Sequence, residues 1–133
     1  MSELSFEYKL FVEPEHIDEL NHVNNVVYVQ WIQDAAVKHW NHVAPADIRE
    51  EFVWFIVRHE IDYKASAKPG DELLIRTFVL NASVVSSDRR VQIYRASDMQ
   101  LLVESKTTWC LINKQTQRPA RITDSIKALF LPL

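Results

Sequence analysis

The sequence predicts an α+β domain in which a curved antiparallel sheet of about five strands wraps one long central helix. Three observations carry this expectation. Residues 24–41 have helical spacing and are apolar around most of the circumference, as in a helix covered on most sides. Four long strand-like runs follow in succession, and consecutive strands pair antiparallel with one face to cover. No other segment is long and apolar enough to cover that face.

The elements follow in order. Residues 4–12 alternate as a strand, with Leu4, Phe6, Tyr8 and Leu10 on one face. Residues 13–22 are polar, contain Pro14 and read as a loop. In the helix at 24–41, Gln30, Gln33, Asp34, Lys38 and Asn41 form one polar stripe, on which Asp34 and Lys38 are spaced to pair. Pro45 opens a short helix through about Glu51. Residues 52–65 have period two, with Phe55, Val57, His59, Ile61 and Tyr63 on one face and Arg58, Glu60, Asp62 and Lys64 on the other. Pro69-Gly70-Asp71 is a turn. Further strands are expected at 72–85, 89–97 and 101–113, joined by Ser86-Ser87-Asp88 and by Ser97-Asp98-Met99-Gln100. Thr123 caps a final short helix at 124–130. An uncharged edge on strands this long invites pairing with another chain, so a homodimer or homotetramer is expected.

Composition narrows the function. The chain has 133 residues, suited to one domain, and a net charge of −3. No Lys/Arg cluster has the density of a nucleic-acid footprint. No segment approaches a membrane span, and residues 1–12 lack the pattern of a signal peptide. The one cysteine, Cys110, is expected as a buried, inert thiol in a strand; with no internal disulfide, a cytoplasmic location is expected. The one glycine, Gly70, excludes glycine-rich phosphate loops. His39 and His42 have no third ligand, so no metal is expected.

The stretch from Asp18 to Trp31, DELNHVNNVVYVQW, resembles the hotdog-fold thioesterases of the 4-hydroxybenzoyl-CoA thioesterase-like family, which act on acyl-CoA and acyl-ACP. Similar matches occur at His59-Glu60-Ile61-Asp62-Tyr63, at Lys68-Pro69-Gly70-Asp71-Glu72-Leu73, and at Trp109-Cys110-Leu111-Ile112-Asn113 with Thr116 and Arg118-Pro119. The resemblance implies a hotdog fold, thioester hydrolysis in fatty-acid metabolism, and Asp18 as general base or nucleophile. Leu20 stands where the acyl-ACP branch has asparagine, and Asn21 where the acyl-CoA branch often has glycine. Ala65-Ser66 replaces an acidic residue of the plant enzymes.

Thioester hydrolysis needs an activated water or a nucleophile, and donors for an oxyanion. Unpaired N–H groups at a helix N-terminus are such donors, so the site is expected at residues 23–26 with Asp18 alongside. His22 either assists the reaction or is a hydrogen-bonded structural histidine. One of Asn24 and Asn25 is an N-cap; Asn25 is favoured as the one that meets water or substrate. Tyr28 is either core or the wall of an acyl channel. His59 is either a satisfied core histidine or part of the pocket across a dimer interface. Arg89 and Arg90 open a strand and are either solvated or hold CoA phosphates, for which Lys114, Arg118 and Arg121 are the alternative cations. CoA or acyl carrier protein enters only as part of the substrate, with no separate cofactor. A hotdog dehydratase fits less well because its glycine-rich motifs are missing. A non-catalytic acyl-thioester-binding dimer is the alternative of a different class.

Overall fold

A computed structural model describes residues 4–132. Residues 1–3, the start of the stretch read for a targeting segment, and 133 lie outside the described residues. The chain forms β1 (Phe6–Phe11), a 3-10 turn (Pro14–His16), α1 (Asn25–Val43) and α2 (Ala46–Glu51). Then come β2 (Phe52–Tyr63), β3 (Glu72–Ala82), β4 (Ser86–Arg95), β5 (Gln100–Asn113) and α3 (Asp124–Lys127). The strands form one antiparallel sheet in the order β1-β3-β4-β5-β2. The long connection from β1 through α1 and α2 carries the chain to the opposite edge, so β1 and β2 are the two edges. Among the described residues no helix is long and apolar enough to cross a membrane.

α1 is buried along one face, not on most sides. Its buried residues are Tyr28, Trp31, Ile32, Ala35, Ala36, His39 and Trp40. Their three- and four-residue spacing is that of an ordinary amphipathic stripe. Val26 and Val37, apolar by type, are 73% and 51% exposed. The first half of the stripe packs on Leu73, Ile75, Val91 and Ile93 of β3 and β4 and on Leu102 and Val103 of β5. Its far end joins a second cluster with Val79, Leu111, Ile122, Ile126 and Phe130. The expected Asp34–Lys38 pair is not made. Asp34 accepts from Gln30 Nε2 at 2.9 Å, and the Lys38 ammonium lies 5.3 Å from the Tyr8 ring centroid. The shorter amide and the aromatic face outcompete a solvated ion pair, which contributes little.

Four further expectations are corrected. β1 begins at Phe6, leaving Leu4 in a turn, and α3 ends at Lys127, ahead of Phe130. In β2 the ladder with β5 slips between Ile56 and Arg58, so Val57 is an extra, bulged residue. The bulge shifts the phase by one. Phe55 and Val57 therefore point outward, 60% and 66% exposed, while His59 and Ile61 are half-buried. Finally, Ser86-Ser87-Asp88 is strand, and the β3–β4 connection is 83–85. Polar cross-links hold these turn-forming residues in the ladder: Ser87 Oγ donates to the Asn81 carbonyl, Asn81 Nδ2 to Asp88, and Thr108 Oγ1 to Asp88 at 2.6 Å. Cys110, in β5, is half-buried.

Two buried polar arrangements fix the ends of α1. At its start, the Ala67 N–H donates to the Tyr28 hydroxyl at 2.9 Å, and the Ala67 carbonyl accepts from Val23 N–H at 3.1 Å. The helix entrance is thereby tied to the loop before Gly70, whose φ of +81° makes the turn that a side chain would strain. Towards its end, His39 is stacked on Phe6 and edge-on to Phe130. Its Nδ1 accepts from Arg89 Nη1 at 2.9 Å, which fixes the neutral ring with its proton on Nε2. Burial first, then the charges of Arg89 and His42, push the His39 pKa down to about 3.

Tyr28→Phe leaves a buried N–H without its acceptor. We expect it to cost about 1–3 kcal/mol of unfolding free energy, measured by urea denaturation; an unchanged midpoint would show the clamp to be idle. His39 supplies a pH-dependent prediction. The unfolded chain binds a proton on this ring below about pH 6.5, and the fold does so only near pH 3. Its contribution is therefore complete above pH 6.5 and is lost as pH falls towards 3. His39→Gln keeps an acceptor for Arg89 and removes the titration. Between neutral pH and the middle of that window the variant should lose less stability than the wild type, and equal losses would refute the assignment.

Candidate active site

The site is built on the hairpin that leads into α1. Ile17 and Val23 pair across it in an antiparallel bridge. Asp18 N–H donates to the His22 carbonyl at 2.9 Å, and Asn21 N–H to the Asp18 carbonyl at 3.1 Å. Asp18 also closes the loop with its side chain. Its Oδ1 accepts from the N–H groups of Leu20 at 2.9 Å and His22 at 3.4 Å. This is the local pairing that makes Asp favourable in tight turns. Oδ2 has no partner among the described residues, and the carboxylate is half-buried. Asn21 takes a φ of +61°, the left-handed region where glycine is unstrained and asparagine is the best-tolerated alternative. The residue type that departs from the resembling family's glycine thus keeps the backbone shape.

At the helix start, Asn24 is the N-cap. Its Oδ1 accepts from Val26 N–H at 2.9 Å and its carbonyl from Val27 N–H at 2.9 Å. Asn24 N–H itself donates to the His16 carbonyl at 3.0 Å, and Val23 N–H to Ala67. Of the N–H groups of residues 23–26, three are therefore used inside the chain. The helix offers one free donor here, Asn25 N–H, and not the set expected from the sequence. The side chains of His22 and Asn25 make no hydrogen bond among the described residues; His22 is half-buried and Asn25 exposed. Asp18, His22, Asn24 and Asn25 thus share one hairpin–helix junction.

The other candidates lie elsewhere. Tyr28 is 2% exposed and its ring meets Tyr63 at 5.9 Å between centroids. Its hydroxyl is engaged by Ala67, which makes it a core residue holding the junction in place. His59, two positions from Ile61 on β2, contacts Thr107 Oγ1 through Nδ1 at 2.9 Å; its Nε2 is buried without a partner, and burial lowers its pKa. Arg89 and Arg90 lie inside β4, not at its start, and face opposite sides of the sheet. Arg90 pairs with Glu104 at 2.8 Å. Arg89, bonded to His39, is 5% exposed and so is not a solvated cation. His39 is fourteen residues along α1 from Asn25, a separation of ~21 Å by helical rise. Arg89 is therefore remote from Asp18 of the same chain.

His16 lies in the segment 13–22, whose composition reads as plain loop, yet it ends a one-turn helix. Its Nδ1 accepts from Glu13 N–H at 2.9 Å, and its ring lies edge-on to Trp31 at 5.0 Å. The readable signal was the histidine close behind Pro14, at the end of a one-turn helix. The His39–Arg89 contact had a signal too. His39 falls at three and four residues from Ala36 and Ala35 in the apolar stripe, and Arg89 alternates with Val91 and Ile93 on the inner face of its strand.

The model of the thioesterase-like superfamily matches residues 12–130. No curated protein matches the sequence. Among solved structures, a 1,4-dihydroxy-2-naphthoyl-CoA thioesterase from Synechocystis aligns over 94% of both chains at 22% identity, TM-score 0.80. A hypothetical protein from Staphylococcus aureus, solved in complex with CoA, aligns over 94% of this chain and 80% of its own at 18% identity, TM-score 0.83. A 12:0-ACP thioesterase from Umbellularia californica aligns over 98% of this chain and 52% of its own at 14% identity, TM-score 0.82. These likenesses show a shared fold, and the family match, covering nearly the whole sequence, adds the chemistry: the chain belongs to the thioesterase-like superfamily, whose reaction is hydrolysis of an acyl thioester.

Proposed function

We propose that the chain hydrolyses acyl-CoA, with Asp18 acting as general base on the attacking water. The observation that carries this reading is the Asp18 carboxylate itself. One oxygen is fixed by two backbone N–H groups and the other is left unengaged, beside a helix end with an unused N–H. In this mechanism Oδ2 takes a proton from water as its oxygen bonds to the thioester carbon. The oxyanion is met by Asn25 N–H, aided by the dipole of α1. The C–S bond then breaks, and the leaving thiolate is protonated from the His22 ring or from solvent. Asn25 and Asn24 border the substrate, and Tyr28 holds the junction from beneath.

Coenzyme A is preferred to acyl carrier protein as the thiol carrier. The Synechocystis CoA thioesterase and the protein solved with CoA are close to this chain in length, whereas the aligned acyl-ACP thioesterase is about twice as long. We also place the enzyme in the cytoplasm and in a homodimer or homotetramer. The outer face and edge of β2 support the assembly, since Phe55 and Val57 are large, apolar and exposed there. His59, on this edge strand, then lies where a partner chain would complete the substrate site.

A panel of acyl-CoA and acyl-ACP substrates, followed by release of free thiol, tests the reaction. Asp18→Asn preserves the loop contacts through its amide oxygen and should lower kcat/KM by about 10²–10⁴-fold; Asp18→Ala should do the same. Wild-type rates in both variants would remove Asp18 from the chemistry. Faster turnover of every acyl-ACP than its acyl-CoA would reverse the choice of carrier. The assembly is tested by light scattering on Phe55→Glu combined with Val57→Lys. The wild type should run as an oligomer and the variant as a folded monomer, while a monomeric wild type would defeat this part of the proposal.

A further inference from the structure

A cavity of about 450 Å³ opens at the C-terminal end of α1, a size within the range of small-molecule sites. Trp40, Phe52, Trp54, Trp109 and Phe130 give it aromatic walls, and Arg89 lies among them. The register explains how the arginine comes to be there. Arg89 sits on the inner face of β4, opposite Val79 on β3 and Thr107 on β5, and Trp109 is its diagonal neighbour across Ser87.

The polar groups of this cavity are incompletely matched. Arg89 Nη1 donates to His39 Nδ1 and to Thr77 Oγ1, each at 2.9 Å, and both acceptors are neutral. Its guanidinium carbon lies 5.4 Å from the Phe130 ring centroid. Among the described residues no carboxylate forms an ion pair with it, although the side chain is 5% exposed. A buried cation without an anion is a costly arrangement, and burial pulls the Arg89 pKa down to about 9. Trp109 Nε1, in a residue 8% exposed, is a second buried donor with no acceptor. Arg49 and Lys114 add positive charge to the cavity lining against one acid, Glu50.

We propose that this cavity binds a hydrophobic monocarboxylate, with its carboxylate on Arg89 and Trp109 Nε1 and its body against the aromatic walls. With Nη1 occupied, Nε and Nη2 remain as a planar pair of donors, the arrangement that meets a carboxylate in two parallel bonds. The planar donor pair matches a planar carboxylate, and the apolar body of such an acid fills the aromatic cavity, which a free phosphate would leave empty. The free acids released from acyl thioesters are members of this ligand class. The site is separate from Asp18 of the same chain by the length of α1, and its occupancy does not depend on the mechanism assigned there.

The test uses laurate and 1-naphthoate as acyl and aryl probes, with dodecanol and 1-naphthalenemethanol as their neutral counterparts, titrated calorimetrically into the full-length protein. At least one acid should bind one per chain and at least about tenfold more tightly than its alcohol. Arg89→Met should abolish that preference while leaving the alcohol's affinity unchanged. Trp109→Phe, a milder change, should weaken the acid several-fold and is decisive on its own where Arg89→Met does not fold. Asp18→Asn should bind the acid as the wild type does. The proposal is overturned if neither acid binds, if acid and alcohol bind alike, if Trp109→Phe leaves acid affinity unchanged, or if Asp18→Asn abolishes binding.

Discussion

Everything of consequence in this chain is hung on the rotation of α1 about its own axis. The stripe from Tyr28 to Trp40 can face β3 and β4 in only one way, because its members recur at three and four residues and are large at both ends. Once that face is down, Asn24 must cap the helix at the surface, with the Asp18 hairpin beside it. The same rotation drives His39 into the interior, where it meets Arg89. Tyr28 and His39 then work as two pins. One hydrogen-bonds the loop before β3, and the other accepts from β4. A rotation of one residue would expose Ile32 or bury Lys38, and neither is affordable against the few kcal/mol of net stability that a domain has.

The order of elements was legible because long periodic runs reveal it directly, and the helix start was legible because asparagine before an apolar run is a capping signal. The residues that misled did so for physical reasons. Period counting through 52–65 assigned Phe55 and Val57 to the face of His59, since a bulge leaves no mark in an unbroken alternation. Ser86-Ser87-Asp88 has the composition of a turn, but its side chains are satisfied by Asn81 and Thr108 on neighbouring strands, information that a linear reading lacks. Arg89 looked like a solvated end of a strand because charge dominates expectation. Its burial follows only once the register places it beside Thr77 and opposite α1. In the site, the identity of Asp18 was readable and the supply of oxyanion donors was not. Donor supply depends on how many N–H groups the fold uses for itself.

The cap and the reactive junction prove to compete for the same atoms. Asn24 takes Val26 and Val27, His16 takes Asn24, and Ala67 takes Val23. A helix end so fully satisfied is rigid, and what it leaves over, Asn25 N–H, is held in a fixed place. Preorganised donors are effective because they need no rearrangement as charge develops. The left-handed Asn21 serves the same end, turning the chain sharply enough that Asp18 and His22 bond backbone to backbone.

The extra residue at Val57 has a consequence for how such a chain can change over generations. Before it, β2 shows its oily side to the outside; after it, the inner face is the one that carries His59 and Ile61. Which half of the strand is sticky is thus governed by parity, by whether the count of residues is odd or even, and not by any one side chain. Loss of the Val57 codon would restore plain alternation, with Trp54 still inward, Phe55 still outward and His59 still inward, and would take one apolar side chain off the outer face. The bulge is thus the means by which this edge takes up one residue more than its partner strand without turning either half of β2 over.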